Sequence, residues 1–170
     1  KIQELIDKVP AMPSDVEWHF IGHLQSNKAG KAVELADYIH AIDSEKLLAR
    51  VERLAGEKGR NPKILLEVNV SGEESKFGLN VEDTRRVARQ AAACEHARFV
   101  GLMTMAPYGA PERELCEVFG GLRDLRDRLV DELGMPLPEL SMGMSSDFEQ
   151  AIAEGATIVR VGTAIFGRRG

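Results

Sequence analysis

Thr157-Ile158-Val159-Arg160-Val161-Gly162 is a short β-branched run that carries a charge in its middle and ends at glycine. In a strand, successive side chains point to opposite faces, so Val159 and Val161 share one face and Arg160 lies on the other. The valines suit the face that helices cover. Arg160 is thereby turned inward, which the interior of a barrel near its mouth can accommodate. A buried guanidinium without partners is very costly, so it must meet an acceptor. Two acceptors are open on pattern alone. One is a ligand beside the strand end; the other is Glu67, which shares a face with Asn69 in Ile64-Leu65-Leu66-Glu67-Val68-Asn69-Val70.

Outward from this strand, short apolar runs alternate with longer segments of 3.6-residue period, the pattern of βα units on a parallel sheet. The strand candidates are Trp18 to Leu24, Tyr38 to Ile42, Ile64 to Val70, Phe99 to Met105, Leu140 to Met144 and Thr157 to Val161. Between them, Ser44 caps a helix with Leu47, Leu48, Val51, Leu54 and Ala55 on one face, ending near Gly59. A second helix runs from Val81 to Ala93. A third takes Pro111 in its first turn, carries Leu115, Val118, Phe119, Leu122, Leu125 and Leu129 at helical spacing, and stops at Gly134.

Both a doubly wound sheet and a (β/α)8 barrel alternate in this way. The dinucleotide fingerprint GxGxxG is absent from the first unit, and polar residues recur inside strands, so the barrel is preferred. A typical barrel needs about 250 residues, and the six units over 170 residues predict a TIM-type α/β barrel with about six of its eight units. One domain over residues 1–170 is expected, with its N-terminal units absent. The chain opens without Met on Ile2, Leu5, Ile6 and Val9, at the spacing of a helix already under way.

With 44% hydrophobic and 29% charged residues the chain is expected to fold. Its net charge of −5 is spread without basic blocks, which argues against nucleic acid or anionic lipid as a partner. No apolar run approaches the roughly 20 residues of a membrane span, and no signal-peptide core is present, so a soluble cytoplasmic protein is expected. Cys94 and Cys116 lack CxxC spacing, which argues against a disulfide framework and a zinc site.

The site signal lies in the last two units. Met142-Gly143-Met144-Ser145-Ser146-Asp147-Phe148-Glu149 passes from strand to helix, and Ser146 with Glu149 has capping-box spacing. Such a start presents backbone N–H groups to an anion. Val161-Gly162-Thr163-Ala164-Ile165-Phe166-Gly167 repeats the arrangement, with Gly162 admitting close approach and Thr163 offering a hydroxyl. Loops after the last two strands are the usual phosphate site of a barrel. His19 and His23 have HxxxH spacing, but on a strand those side chains stand about 13 Å apart and cannot share an ion. His23, at the strand's C-terminal end, is in position to face the site; His19 reads as structural, and His40 and His96 read as structural or exposed. Met103 and Met105 read as core or rim packing.

Ile21-Gly22-His23-Leu24-Gln25-Ser26-Asn27-Lys28, Glu67 to Leu79 (EVNVSGEESKFGL), Gly101-Leu102-Met103-Thr104-Met105, Ser141 to Asp147 and Arg160 to Gly167 together resemble the pyridoxal-phosphate homeostasis proteins. These are single-domain relatives of the alanine racemase barrel, fold type III. The resemblance runs in order along the whole chain. It implies a pyridoxal 5'-phosphate binding protein of intracellular vitamin B6 homeostasis with little or no catalysis. It implies that Ser145, Ser146, Gly162 and Thr163 hold the cofactor phosphate, that Arg160 faces the pyridine nitrogen, and that Asn69, His23 and Met142 lie around the ring. A guanidinium at that nitrogen keeps it unprotonated and weakens the ring as an electron sink.

The family's Schiff-base lysine stands in a Val-Ser-Lys segment, followed by a Gly-Glu-Asn motif, and neither occurs here. Lys28 and Lys76 lie in loops beyond strand ends and replace it poorly. No catalytic residue and no metal site is expected. The resemblance also implies pyridoxal-phosphate-dependent apo-enzymes as recipients, and a monomer. The alternatives are a racemase-type enzyme, which would need a second domain and a tyrosine from a partner where this chain has only Tyr38 and Tyr108, or a barrel for another phosphorylated ligand.

Overall fold

A computed structural model describes residues 1–73 and 77–167. The Lys76 expectation lies outside the described residues. Six strands form one parallel sheet: β1 (His19–Phe20), β2 (Tyr38–Ile42), β3 (Lys63–Glu67), β4 (Arg98–Met103), β5 (Glu139–Met144) and β6 (Ile158–Arg160). They pair in chain order. An unbroken order has no switch point, which separates this sheet from a doubly wound one.

The curvature follows from two side chains. His40 on β2 and Ser141 on β5 are hydrogen-bonded at 2.8 Å. Neighbouring strands lie about 4.8 Å apart, so these two strands would be separated by about 14 Å in a flat sheet. The sheet is therefore rolled, with the arrangement of an incomplete barrel.

Rolling divides the apolar side chains into two cores. Ile39, Ile42, Ile64, Leu66, Phe99, Leu102, Leu140 and Met142 face the helices in the larger cluster. Tyr38, Leu65 and Met103, with Val100 and Ile158, make a smaller cluster on the concave face. The alternation skips once, between Phe99 and Gly101, where the register against β3 shifts. Gly101 lies so close to β5 that a Cβ would sit 1.9 Å from the Glu139 carbonyl oxygen.

The helices are α1 (Ile2–Lys8), α2 (Ala29–Leu35), α3 (Glu45–Lys58), α4 (Val81–Ala92), α5 (Glu112–Leu133), α6 (Phe148–Ala153) and α7 (Thr163–Phe166). Ser44 Oγ accepts the Leu47 N–H as the first cap of α3, and Gly59 at φ 60° ends it. All six expected apolar residues of α5 are buried. Pro111 is its N-cap, with extended backbone at ψ 154°, and does not enter the first turn. No helix among the described residues is long and apolar enough to cross a membrane.

Four strands are shorter than their apolar runs; β4 stops at Met103 before Met105, and β6 covers Ile158–Arg160 alone. The ladder of β1 covers His19–Phe20 alone. At the end of β3 the returning loop replaces sheet pairing: the Asn69 N–H donates to the Leu79 carbonyl, and the Leu79 N–H donates to the Glu67 carbonyl. Strand periodicity continues into Val70; the ladder does not.

Candidate functional site

The turns after β5 and β6 meet at the C-terminal edge of the sheet. Ser145 Oγ accepts the Gly162 N–H at 3.0 Å and the Ala164 N–H at 3.4 Å, so one hydroxyl ties both turns together. Ser146 and Thr163 are exposed beside it. Nothing lies within 4 Å of where a Gly162 Cβ would be, leaving open space against the backbone. The capping box expected of Ser146 and Glu149 does not form. Asp147 Oδ1 accepts the Met144 N–H at 2.6 Å, and Asp147 becomes the N-cap of α6. Gly143 enters this turn at φ 93°, in the region that favours glycine.

Behind the turns, Arg160 points inward as the alternation requires and is 7% exposed. Its Nη1 donates to Ser141 Oγ at 2.7 Å, its Nη2 to the Thr104 carbonyl at 3.0 Å, and its Nε to Met144 Sδ at 3.4 Å. The Glu67 pairing is not made: among the described residues no carboxylate lies within ion-pair distance of Arg160. Burial lowers the Arg160 pKa to about 10, which leaves it charged at neutral pH. Burial, then the neighbouring Asp43 charge, raises Glu67 to about 7, while Arg160 acts against them from a distance.

From Arg160 a line of polar groups runs through the concave interior. Ser141 Oγ meets His40 Nδ1 at 2.8 Å, and His40 Nε2 meets His19 Nδ1 at 3.0 Å. His19 Nε2 faces Glu17 Oε2 at 3.8 Å. The His19 ring stacks on Tyr38 at 4.1 Å, and Lys63 Nζ donates to Tyr38 Oη at 2.8 Å. His40 is fully buried, and burial lowers its pKa to about 3, so it is neutral. Sequence reasoning set His40 aside as structural or exposed and did not single out Ser141. The missed signal was the one used for Arg160, a polar residue alternating with buried apolar ones in a strand.

The residues expected around a ring are dispersed. Met142 is fully buried in the helix-side core, because Ser141 takes the inward position and its neighbour must face the other way. Asn69 closes its own loop: its Nδ2 donates to the Glu73 carbonyl at 2.7 Å, and its Oδ1 accepts from Ser71 Oγ at 3.2 Å and Gly72 N at 3.0 Å. His23 pairs with Asp43 at 3.2 Å and stacks on Phe77 at 4.1 Å. It is exposed at the C-terminal side of β1.

The family described as alanine racemase, N-terminal domain, matches residues 1–170. A pyridoxal phosphate homeostasis protein of Aquifex aeolicus (strain VF5) is 41% identical over 170 residues, covering 99% of this chain and 75% of its own length. The chain belongs to the pyridoxal phosphate homeostasis protein family. Another homeostasis protein, from Synechocystis sp., is 39% identical, with 99% of this chain and 78% of that protein covered. PipY of Synechococcus elongatus PCC7942 without PLP superposes with a TM-score of 0.94 at 42% identity, covering 98% of this chain and 79% of that one. PipY with PLP bound gives 0.89 at 41% identity and the same coverage. The alanine racemase of Clostridium difficile 630, at 13% identity and a TM-score of 0.83 over 99% of this chain and 44% of that one, shares the homeostasis proteins' fold.

Proposed function

We infer that this chain binds pyridoxal 5'-phosphate and serves cytoplasmic vitamin B6 homeostasis, with little or no catalysis of its own. The observation that carries the reading is the pair of turns tied by Ser145 directly in front of the buried Arg160. The donor set fits the cofactor. Ser145, Ser146 and Thr163 offer hydroxyls, Gly162 leaves open space beside its backbone, and among the described residues no carboxylate pairs with the guanidinium, so a phosphate dianion and a ring nitrogen each meet donors.

When bound, pyridoxal phosphate supplies a pyridine ring able to withdraw electrons from an attached carbon. Arg160 acts against that capacity. A guanidinium that stays charged donates to the ring nitrogen and gives it no proton, so the chain's own residue favours holding the cofactor over using it. Lys63 does not serve as an anchor, since its ammonium is engaged by Tyr38 and Glu17. Binding through the phosphate and the nitrogen suits reversible delivery to pyridoxal-phosphate-dependent apo-enzymes by a monomer. The racemase-type reading draws on the shared fold alone, which does not specify chemistry.

Titrating the purified chain with pyridoxal phosphate and recording the visible spectrum tests this, with borohydride treatment and peptide mapping to follow. Saturable binding that borohydride does not fix is expected. Absence of saturable binding overturns the reading, and a fixed adduct on Lys28 or Lys76 overturns its noncovalent form.

A further inference from the structure

We propose that Ser141 and His40 are positioning residues for Arg160: with His19 behind them they form one directed line of hydrogen bonds, ending opposite the Glu17 carboxylate, that aims the guanidinium at the cofactor ring. The inference rests on the cofactor-binding reading above.

The direction of the line follows from donor chemistry. Arginine can only donate, so Ser141 Oγ accepts from Nη1, and the hydroxyl proton is left to reach His40 Nδ1. His40 is neutral and carries a single N–H. With Nδ1 accepting, that proton stands on Nε2 and donates to His19 Nδ1. The His19 proton then stands on Nε2, toward the Glu17 carboxylate. The opposite direction would aim a bare nitrogen at a carboxylate and strand the serine proton. Only one arrangement satisfies every group, and buried polar networks are stabilising when fully satisfied.

Two consequences concern Arg160. Of its five N–H groups, the three directed at Ser141, Thr104 and Met144 fix the plane, and the remaining two are left for a ligand. The line of acceptors next to the guanidinium is also uncharged. A carboxylate in place of Ser141 would neutralise the cation; a hydroxyl backed by a neutral imidazole holds it while leaving its charge for the ring.

The test uses Ser141→Ala, Ser141→Thr and His40→Phe alongside the unaltered chain. Pyridoxal phosphate and inorganic phosphate are titrated in parallel, and melting curves confirm folding. Ser141→Ala and His40→Phe should weaken pyridoxal phosphate about tenfold, Ser141→Thr should restore it, and inorganic phosphate should bind each variant as it binds the parent. Equal loss for both ligands, or no loss for either, overturns the proposal. The second measurement needs no cofactor. Slow exchange of the Arg160 Nη protons by nitrogen-15 NMR should be present in the parent and lost in Ser141→Ala and His40→Phe. Equal exchange in all of them refutes the positioning role, even if the parent fails to bind pyridoxal phosphate and the cofactor reading falls separately.

Discussion

His40 on β2 and Ser141 on β5 share a 2.8 Å hydrogen bond although two strands lie between theirs in the sheet. That contact ties the curl of the sheet to the setting of Arg160, because the same serine oxygen accepts from the guanidinium. Fold and site are held by one hydroxyl.

Two buried titratable groups of this interior, His40 and Glu67, give opposing pH dependences. His40 is lowered from 6.5 to about 3 by burial, with His19 and Arg160 adding to the effect. Below pH 6.5 the unfolded chain therefore binds the extra proton, and stability falls as pH falls. Glu67 is raised from 4.5 to about 7, so the folded chain binds the extra proton above pH 4.5, and stability falls as pH rises. Between pH 4.5 and 6.5 the two slopes offset each other, each worth about 1.4 kcal/mol per pH unit for a full proton. Urea denaturation across this window should show stability rising with pH in Glu67→Gln and falling with pH in His40→Phe. Parallel slopes in the two variants would refute this assignment.

Gly101→Ala should prevent normal folding. The added Cβ would lie 1.9 Å from the Glu139 carbonyl oxygen and 2.7 Å from its carbon, and both belong to backbone that cannot step aside without parting β4 from β5. A cost above about 3 kcal/mol is expected, read as a fall in melting temperature or as insoluble expression.

Gly143→Ala should damage the site more selectively. The glycine holds φ 93°, and a Cβ there would meet the Ala151 Cβ at 2.6 Å and the Phe148 Cα at 3.0 Å. Relief requires moving α6 away from the strand end, which displaces Ser145 from Gly162. A loss of about 2 kcal/mol in stability is expected. Binding of inorganic phosphate should weaken as well. A variant that melts early yet binds phosphate normally would separate the turn from the site.

Arg160→Ala removes the proposed donor to the ring and leaves Ser141 and the Thr104 carbonyl without their guanidinium partner. Pyridoxal phosphate should bind at least about tenfold more weakly, since hydrogen bonds from charged groups contribute about 1.5–3 kcal/mol each. Arg160→Lys should not restore binding, because an ammonium lacks the planar fork that spans the three acceptors. Isothermal titration of both variants measures this, and parental affinity in either would show that the ring does not depend on the guanidinium.

Much of this protein was legible from local pattern. The alternation around Arg160 turned it inward, the apolar face of α5 was read residue by residue, and β2 runs from Tyr38 to Ile42 as its pattern indicated. The turns carrying Ser145 and Gly162 were located too. These follow from periodicity, which is a property of the next two to four residues and survives in any fold that buries the same face.

Partnership was decided elsewhere. The Ser146 capping box had the right spacing, but the Asp147 carboxylate took the Met144 N–H and started the helix later. Asn69 carried the right chemistry for a ligand, but its own loop consumed the amide. Met142 fell on the helix side because Ser141 was needed inside. Arg160 met a serine and a carbonyl where Glu67 was one expected partner. Sequence by itself determined where the strands fall along the chain and that Arg160 would face inward. Which inward groups touch was decided only by the roll of the sheet, since residues a hundred positions apart come within hydrogen-bonding distance only when the strands between them curve.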